Sequence, residues 1–141
     1  MKKIILLLFL LHSTLLISCG EPKPIPNAQV TTGNSTSLTP YQMGSNWEGN
    51  LEYSTRLALK DKEADVVPPN SKITISYDTP PKENTLELIL WPGQYTGTAF
   101  ERIKLEDSSF TVPAEKGTYI YSFNATWASG DVTYWLKIEV E

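Results

Sequence analysis

From Tyr119 to Val140 the chain alternates apolar and polar residues in two consecutive runs. Tyr119, Tyr121, Phe123, Ala125 and Trp127 fall on one face of an extended segment. Val132, Tyr134, Leu136, Ile138 and Val140 fall on one face of the next. Side chains of extended backbone point alternately to opposite faces, so period two over this length specifies strands and not helices. Between the runs lie Ala128, Ser129, Gly130 and Asp131. A two-residue Ser129-Gly130 turn would close them into a hairpin. That turn pairs Trp127 with Val132, Ala125 with Tyr134, Phe123 with Leu136, Tyr121 with Ile138 and Tyr119 with Val140. A slip of one residue would put one strand's whole apolar set on the wrong face, so the pattern constrains the register.

The same period runs back through the chain. Leu51, Tyr53, Thr55, Leu57 and Leu59 alternate with Glu52, Ser54, Arg56 and Lys60, which predicts a strand. A helix over Arg56 to Asp65 is the competing reading, and the alternation argues against it. Ile73, Ile75 and Tyr77 form another strand. Leu86, Leu88 and Leu90 form a third, apolar on both faces through Ile89 and Trp91 and therefore central. Ile103 with Leu105, and Phe110 with Val112, mark two short ones. Prolines and charged turns separate them, and Trp91 to Thr98 is a long loop. About seven short strands with regular turns predict an all-β antiparallel sandwich over residues 46–141.

The segment Glu115-Lys116-Gly117-Thr118-Tyr119-Ile120-Tyr121 resembles the entry to strand F of immunoglobulin-like domains. The resemblance implies an immunoglobulin-like sandwich with Tyr119 as the corner tyrosine. Tyr121 stands where antibody domains carry a cysteine, so no disulfide is implied.

Ahead of this domain, Glu21 to about Ser45 lacks periodicity and is rich in Pro, Thr, Ser and Asn. The expectation is a flexible linker over 19–45, spanning on the order of 25–30 Å. The N-terminus has Met1, Lys2 and Lys3 before a mostly apolar run from Ile4 to Ile17. That run is shorter than the ~20 residues of a spanning helix and suits a secretory signal.

Leu16-Ile17-Ser18-Cys19 ends the run and resembles the lipobox of bacterial lipoproteins. The resemblance implies a signal peptide over 1–18, cleavage between Ser18 and Cys19, and a diacylglyceryl group on the Cys19 sulfur. Two acyl chains suffice for stable anchoring. Gly20 is not the aspartate that retains lipoproteins in an inner membrane. Gly20 permits either the outer face of a Gram-positive membrane or an outer membrane. The chain as a whole resembles small cell-surface lipoproteins of Gram-positive bacteria, lipid-anchored on the extracytoplasmic face of the cell membrane. In a Gram-negative source the outer membrane would take its place.

Loss of Lys2 and Lys3 with the signal takes the formal charge from −4 to −6. An acidic domain is a poor partner for nucleic acid. Cys19 is the one cysteine and His12 the one histidine. The expected mature chain thus has no histidine and no free thiol, which leaves it no Ser-His-Asp triad, no Cys-His dyad and no His or Cys metal ligand. Asp61, Glu63 and Asp65 alternate in a loop, as calcium ligands do. They lack the turn glycine and distal glutamate of an EF-hand and carry Lys62 between them, so they read as a solvated turn. Glu101, Glu106, Asp107 and Glu115 are available for carboxylate-based hydrolysis, but nothing in the sequence orders them. No cofactor is expected.

The aromatic residues are the remaining candidates. Trp127 belongs to the core face. Trp135 points away from it, and Trp91 opens a loop with Tyr95. Trp91, Tyr95 and Trp135 are therefore the candidate ligand or partner surface. The expected function is a non-enzymatic interaction module for an envelope protein. A carbohydrate- or cell-wall-binding module is the alternative, with a small carboxylate-dependent hydrolase behind it.

Overall fold

The computed structural model describes residues 20–92 and 95–141. Residues 1–19, which include the expected signal segment, Ser18 and Cys19, lie outside the described residues. The described residues form eleven strands: β1 Ala28–Thr32, β2 Ser37–Leu38, β3 Tyr41–Trp47, β4 Asn50–Tyr53, β5 Asp65–Val67, β6 Lys72–Tyr77, β7 Glu87–Leu90, β8 Glu101–Ile103, β9 Ser109–Thr111, β10 Gly117–Trp127 and β11 Gly130–Val140. They make two sheets, one ordered β2-β1-β6-β9 and the other β4-β3-β11-β10-β7-β8. β5 pairs with the Ile138–Val140 end of β11, on the same edge as β3 and beyond the stretch that β3 takes. All pairings are antiparallel except β5 with β11. The protein is an all-β sandwich. Among the described residues no helix is long and apolar enough to cross a membrane.

The inner faces meet in one large core. Ile73, Ile75 and Val30 from the smaller sheet face Leu88, Tyr121, Phe123, Leu136 and Ile138 from the larger. Burial of such side chains contributes about 1.5–3 kcal/mol each. Rings close one end: Tyr77 lies edge-on to Trp127 at 4.9 Å, and Trp127 edge-on to Trp47 at 5.9 Å. Tyr119 donates its hydroxyl to the Glu115 carbonyl at 2.9 Å, the backward bond of a tyrosine corner.

The hairpin forms as expected, two residues out of the expected register. Trp127 pairs with Gly130, Ala125 with Val132, Phe123 with Tyr134, Tyr121 with Leu136 and Tyr119 with Ile138. Ala128 and Ser129 are the turn, and Gly130 belongs to the ladder. The cause is β3, whose backbone runs against Gly130. A Cβ there would collide with the Asn46 carbonyl, and φ is +147°. A glycine suited to a turn is spent on close strand approach instead. A shift of two preserves every face, so the core set is unchanged.

Two expectations are corrected. Residues 28–45 are not a flexible linker, because they supply β1, β2 and most of β3, with Val30, Leu38, Met43 and Ser45 buried. Few apolar residues per segment sufficed, because β1 completes the smaller sheet against β6 and β3 completes the larger one against β11. The domain therefore starts well before Asn46. The strand expected over Leu51–Leu59 stops at Tyr53 and gives way to a 3-10 turn, Arg56–Leu59. Leu51, Tyr53 and Leu57 are 69%, 86% and 58% exposed, and Leu59 alone of the apolar set is buried. β4 pairs only with β3 and has no layer above it to bury alternate residues.

Candidate functional site

The outer face of the larger sheet carries a second apolar cluster. In β10 and β11 the odd-out residues Ile120 and Trp135 are buried although they face away from the main core. Ile120 pairs with Lys137, and Ser122 with Trp135, so all four share this face. β3 contributes Met43 through a bulge: Thr133 opposes Gly44 and Tyr134 opposes Gln42, leaving Met43 as the extra residue. Leu59, fully buried, arrives from the 3-10 turn. Tyr41, Trp91 and Tyr95 pack around these four.

Trp91, Tyr95 and Trp135 are thus brought to one place. Trp91 follows β7 and continues its pairing, donating its N–H to the Ile120 carbonyl at 2.9 Å. Its indole stacks on Trp135, with centroids 5.6 Å apart and planes 18° from parallel. Its Nε1–H donates to the Ser122 hydroxyl at 2.8 Å. The Arg56 guanidinium lies over the same ring at 4.3 Å and also donates to the Gly97 carbonyl, tying the loop down. Phe100 leans on Trp91 at 5.7 Å. Trp135 is only 9% exposed. The two indoles pack face to face on each other, with Arg56 covering Trp91.

Lys137 organises the neighbouring edge. Its ammonium donates to the carbonyls of Leu59, Lys60 and Lys62 at 3.3, 3.2 and 2.7 Å, using all three of its protons. It also sits 5.4 Å from the centre of the Tyr95 ring. One cation therefore holds both the 3-10 turn and the loop tyrosine onto the sheet. Tyr41 donates its hydroxyl to the Glu63 carbonyl, with Lys62 over its ring. Partial burial raises the Tyr41 phenol above its ordinary range, with the Asp65 and Glu63 carboxylates adding to the rise.

Around this cluster lie exposed apolar side chains. Tyr53 and Leu51 pair with Gly44 and Asn46 and share the outer face. Phe100 is 52% exposed where it meets Trp91. Leu57 is exposed in the turn that delivers Leu59. Across Gly44 from Tyr53, Thr133 accepts from the Asn124 side-chain amide at 2.8 Å, which makes this row of the face polar. The Arg102–Glu87 pair at 3.1 Å is solvated on both sides and adds little.

The signal for the second cluster was already present in Ile120 and Trp135, two large apolar residues on the nominally polar face of the hairpin. Nothing local marked Arg56, Leu59, Met43 or Lys137 as their partners.

The acidic candidates do not gather. Among the described residues no three acids converge as a metal site would require. Asp65 accepts from the Thr39 amide at 2.6 Å. Glu106 closes a tight turn with Ser109, and the Glu115 carbonyl serves Tyr119. Asp107 lines a groove of about 710 Å³ between the sheets, with Tyr77, Pro80, Lys82, Leu86 and Leu105.

No family model, no curated protein and no solved structure matches this chain.

Proposed function

We propose that the chain is a bacterial lipoprotein held on the extracytoplasmic face of a membrane through Cys19. Its sandwich is a non-enzymatic module that docks a protein of the cell envelope. The observation that carries the docking surface is the outer face of the larger sheet. There Leu51, Tyr53, Leu57 and Phe100 are each more than half exposed around a sheet face already stiffened by its own small core. A rigid base with protruding aromatic and aliphatic side chains suits the desolvated centre of a protein interface. Trp91 and Trp135 supply the base, and Tyr53 and Phe100 the contacts.

The test is a photo-crosslinking amino acid at Tyr53 or Phe100 in living cells, with Lys116 as the remote control. A discrete protein adduct from the first two positions and none from the third supports this reading. Co-sedimentation with purified cell-wall sacculi that is lost in Tyr53→Ala, without any protein adduct, would replace it by the glycan-binding reading.

A further inference from the structure

The expected tether is almost absent, and its absence orients the domain. The Lys23 carbonyl accepts from the Trp47 indole at 2.8 Å. Ile25 packs on the main core and Pro26 is buried. The Pro26 carbonyl accepts from the Tyr134 hydroxyl at 2.6 Å. Asn27 is clasped by Asp78, which takes its amide at 3.1 Å and its Nδ2 at 2.9 Å. From Lys23 onward the chain is fastened to the body by a bond or a buried side chain at nearly every residue. Only Gly20, Glu21 and Pro22 separate that strap from Cys19.

We infer that the hairpin-turn end of the sandwich is held against the membrane surface, with the opposite end directed away from it. This rests on the reading of Cys19 as the lipidated residue. From Cys19 to Lys23 is four residues, a reach of at most about 14 Å. The strap crosses the end where Trp47, Trp127 and Gly130 stand level across the sheet. At that end lie the Ala128–Ser129 and Glu48–Gly49 turns and the loop after Asp78. At the other end lie the turns at Gly33–Thr36, Pro68–Ser71 and Pro113–Lys116. β10 spans the distance between them with 11 residues, roughly 35 Å. The leash is less than half as long as the body, so the body has too little chain to invert.

The occupant of this end is the lipid headgroup layer, and geometry imposes the contact. Glu21, Glu48, Asp78 and Glu83 outnumber Lys23 and Lys82 there, so charge does not draw it to anionic lipid. The contact should therefore survive high salt, which screens electrostatic attraction to a bilayer.

The test uses the full lipidated chain in phosphatidylethanolamine/phosphatidylglycerol vesicles doped with headgroup-spin-labelled phosphatidylcholine. Bimane is placed on Ala128→Cys in one sample and on Lys116→Cys in another, both positions being exposed. The expected result is quenching several-fold stronger at 128 than at 116, unchanged by salt. A Gly/Ser insert of ~20 residues between Gly20 and Glu21 adds roughly 25 Å of flexible chain and should erase the difference. Intact mass reports the lipid on Cys19 separately. A lipidated chain with equal quenching at the two sites overturns the orientation and leaves the anchor standing. A chain without the lipid mass overturns both.

Discussion

Two tyrosines of the main core, 6.2 Å apart, should respond in opposite directions to loss of the hydroxyl. Tyr134 is 4% exposed, and its hydroxyl satisfies the buried Pro26 carbonyl at 2.6 Å. Tyr134→Phe removes that bond and leaves the carbonyl without a partner, a loss of about 1–3 kcal/mol. The Tyr77 hydroxyl is buried with no hydrogen-bond partner among the described residues. Burial pushes its phenol well above the ordinary range, so it stays neutral and still bears the cost of desolvation. Tyr77→Phe removes a group that has lost water and gained nothing, and should stabilise by about 1–2 kcal/mol. At about 4 °C per kcal/mol for a domain of this size, the two variants should melt on opposite sides of the wild type, about 8–20 °C apart. Urea titration of residues 20–141, followed by tryptophan fluorescence, measures both. The slope with denaturant should not change, because neither variant alters the surface exposed on unfolding. A loss of more than ~1 kcal/mol in Tyr77→Phe would mean that its hydroxyl is hydrogen-bonded in solution and would refute the burial argument. A neutral Tyr134→Phe would mean that the bond from the Tyr134 hydroxyl to the Pro26 carbonyl contributes nothing.

Gly130→Ala should cost about 1–3 kcal/mol, since φ is +147° and the added carbon meets the Asn46 carbonyl. Gly49→Ala, at φ +82° with open space around it, is the control that isolates backbone strain from collision, and thermal melts of the two compare them. Asp78 is held below the usual carboxylate range first by the Asn27 side-chain amide and then by backbone N–H donors. Its folded value lies under its unfolded one, so its contribution is complete above the unfolded value and is lost as pH falls through the folded one. Asp78→Ala should therefore lower stability at neutral pH and flatten the decline between about pH 5 and pH 2, as read by melts across that range. An acid limb as steep as the wild type's would refute this.

The β class, the last hairpin and the division of its faces were legible in the sequence. Tyr119 to Val140 alternates over two strands long enough that period two admits no other backbone. Tyr119 itself makes the backward bond that its neighbours suggested. The hairpin register was legible only to the nearest face. Local turn preference placed Gly130 in the turn, and only the passage of β3 against it showed that the ladder needed it more.

Strands are not legible in residues 28–45, because each segment is too short and too polar to announce one. These residues are strands because β6 and β11 offer them open edges, and such pairing is a property of the assembled sheet. Leu51, Tyr53 and Leu57 alternate like core residues yet lie in solvent, because no layer covers β4.

Composition and face mark the candidate aromatics Trp91, Tyr95 and Trp135 singly. That Trp91 stacks on Trp135, that Arg56 and Lys137 clamp the loop and the 3-10 turn, and that Tyr53 is left free depended on chain segments dozens of residues apart meeting on one sheet. Alternation is written locally and so determines strands and faces. Edges, close approaches and the covering of a face are decided between segments, and only the tertiary structure contains them.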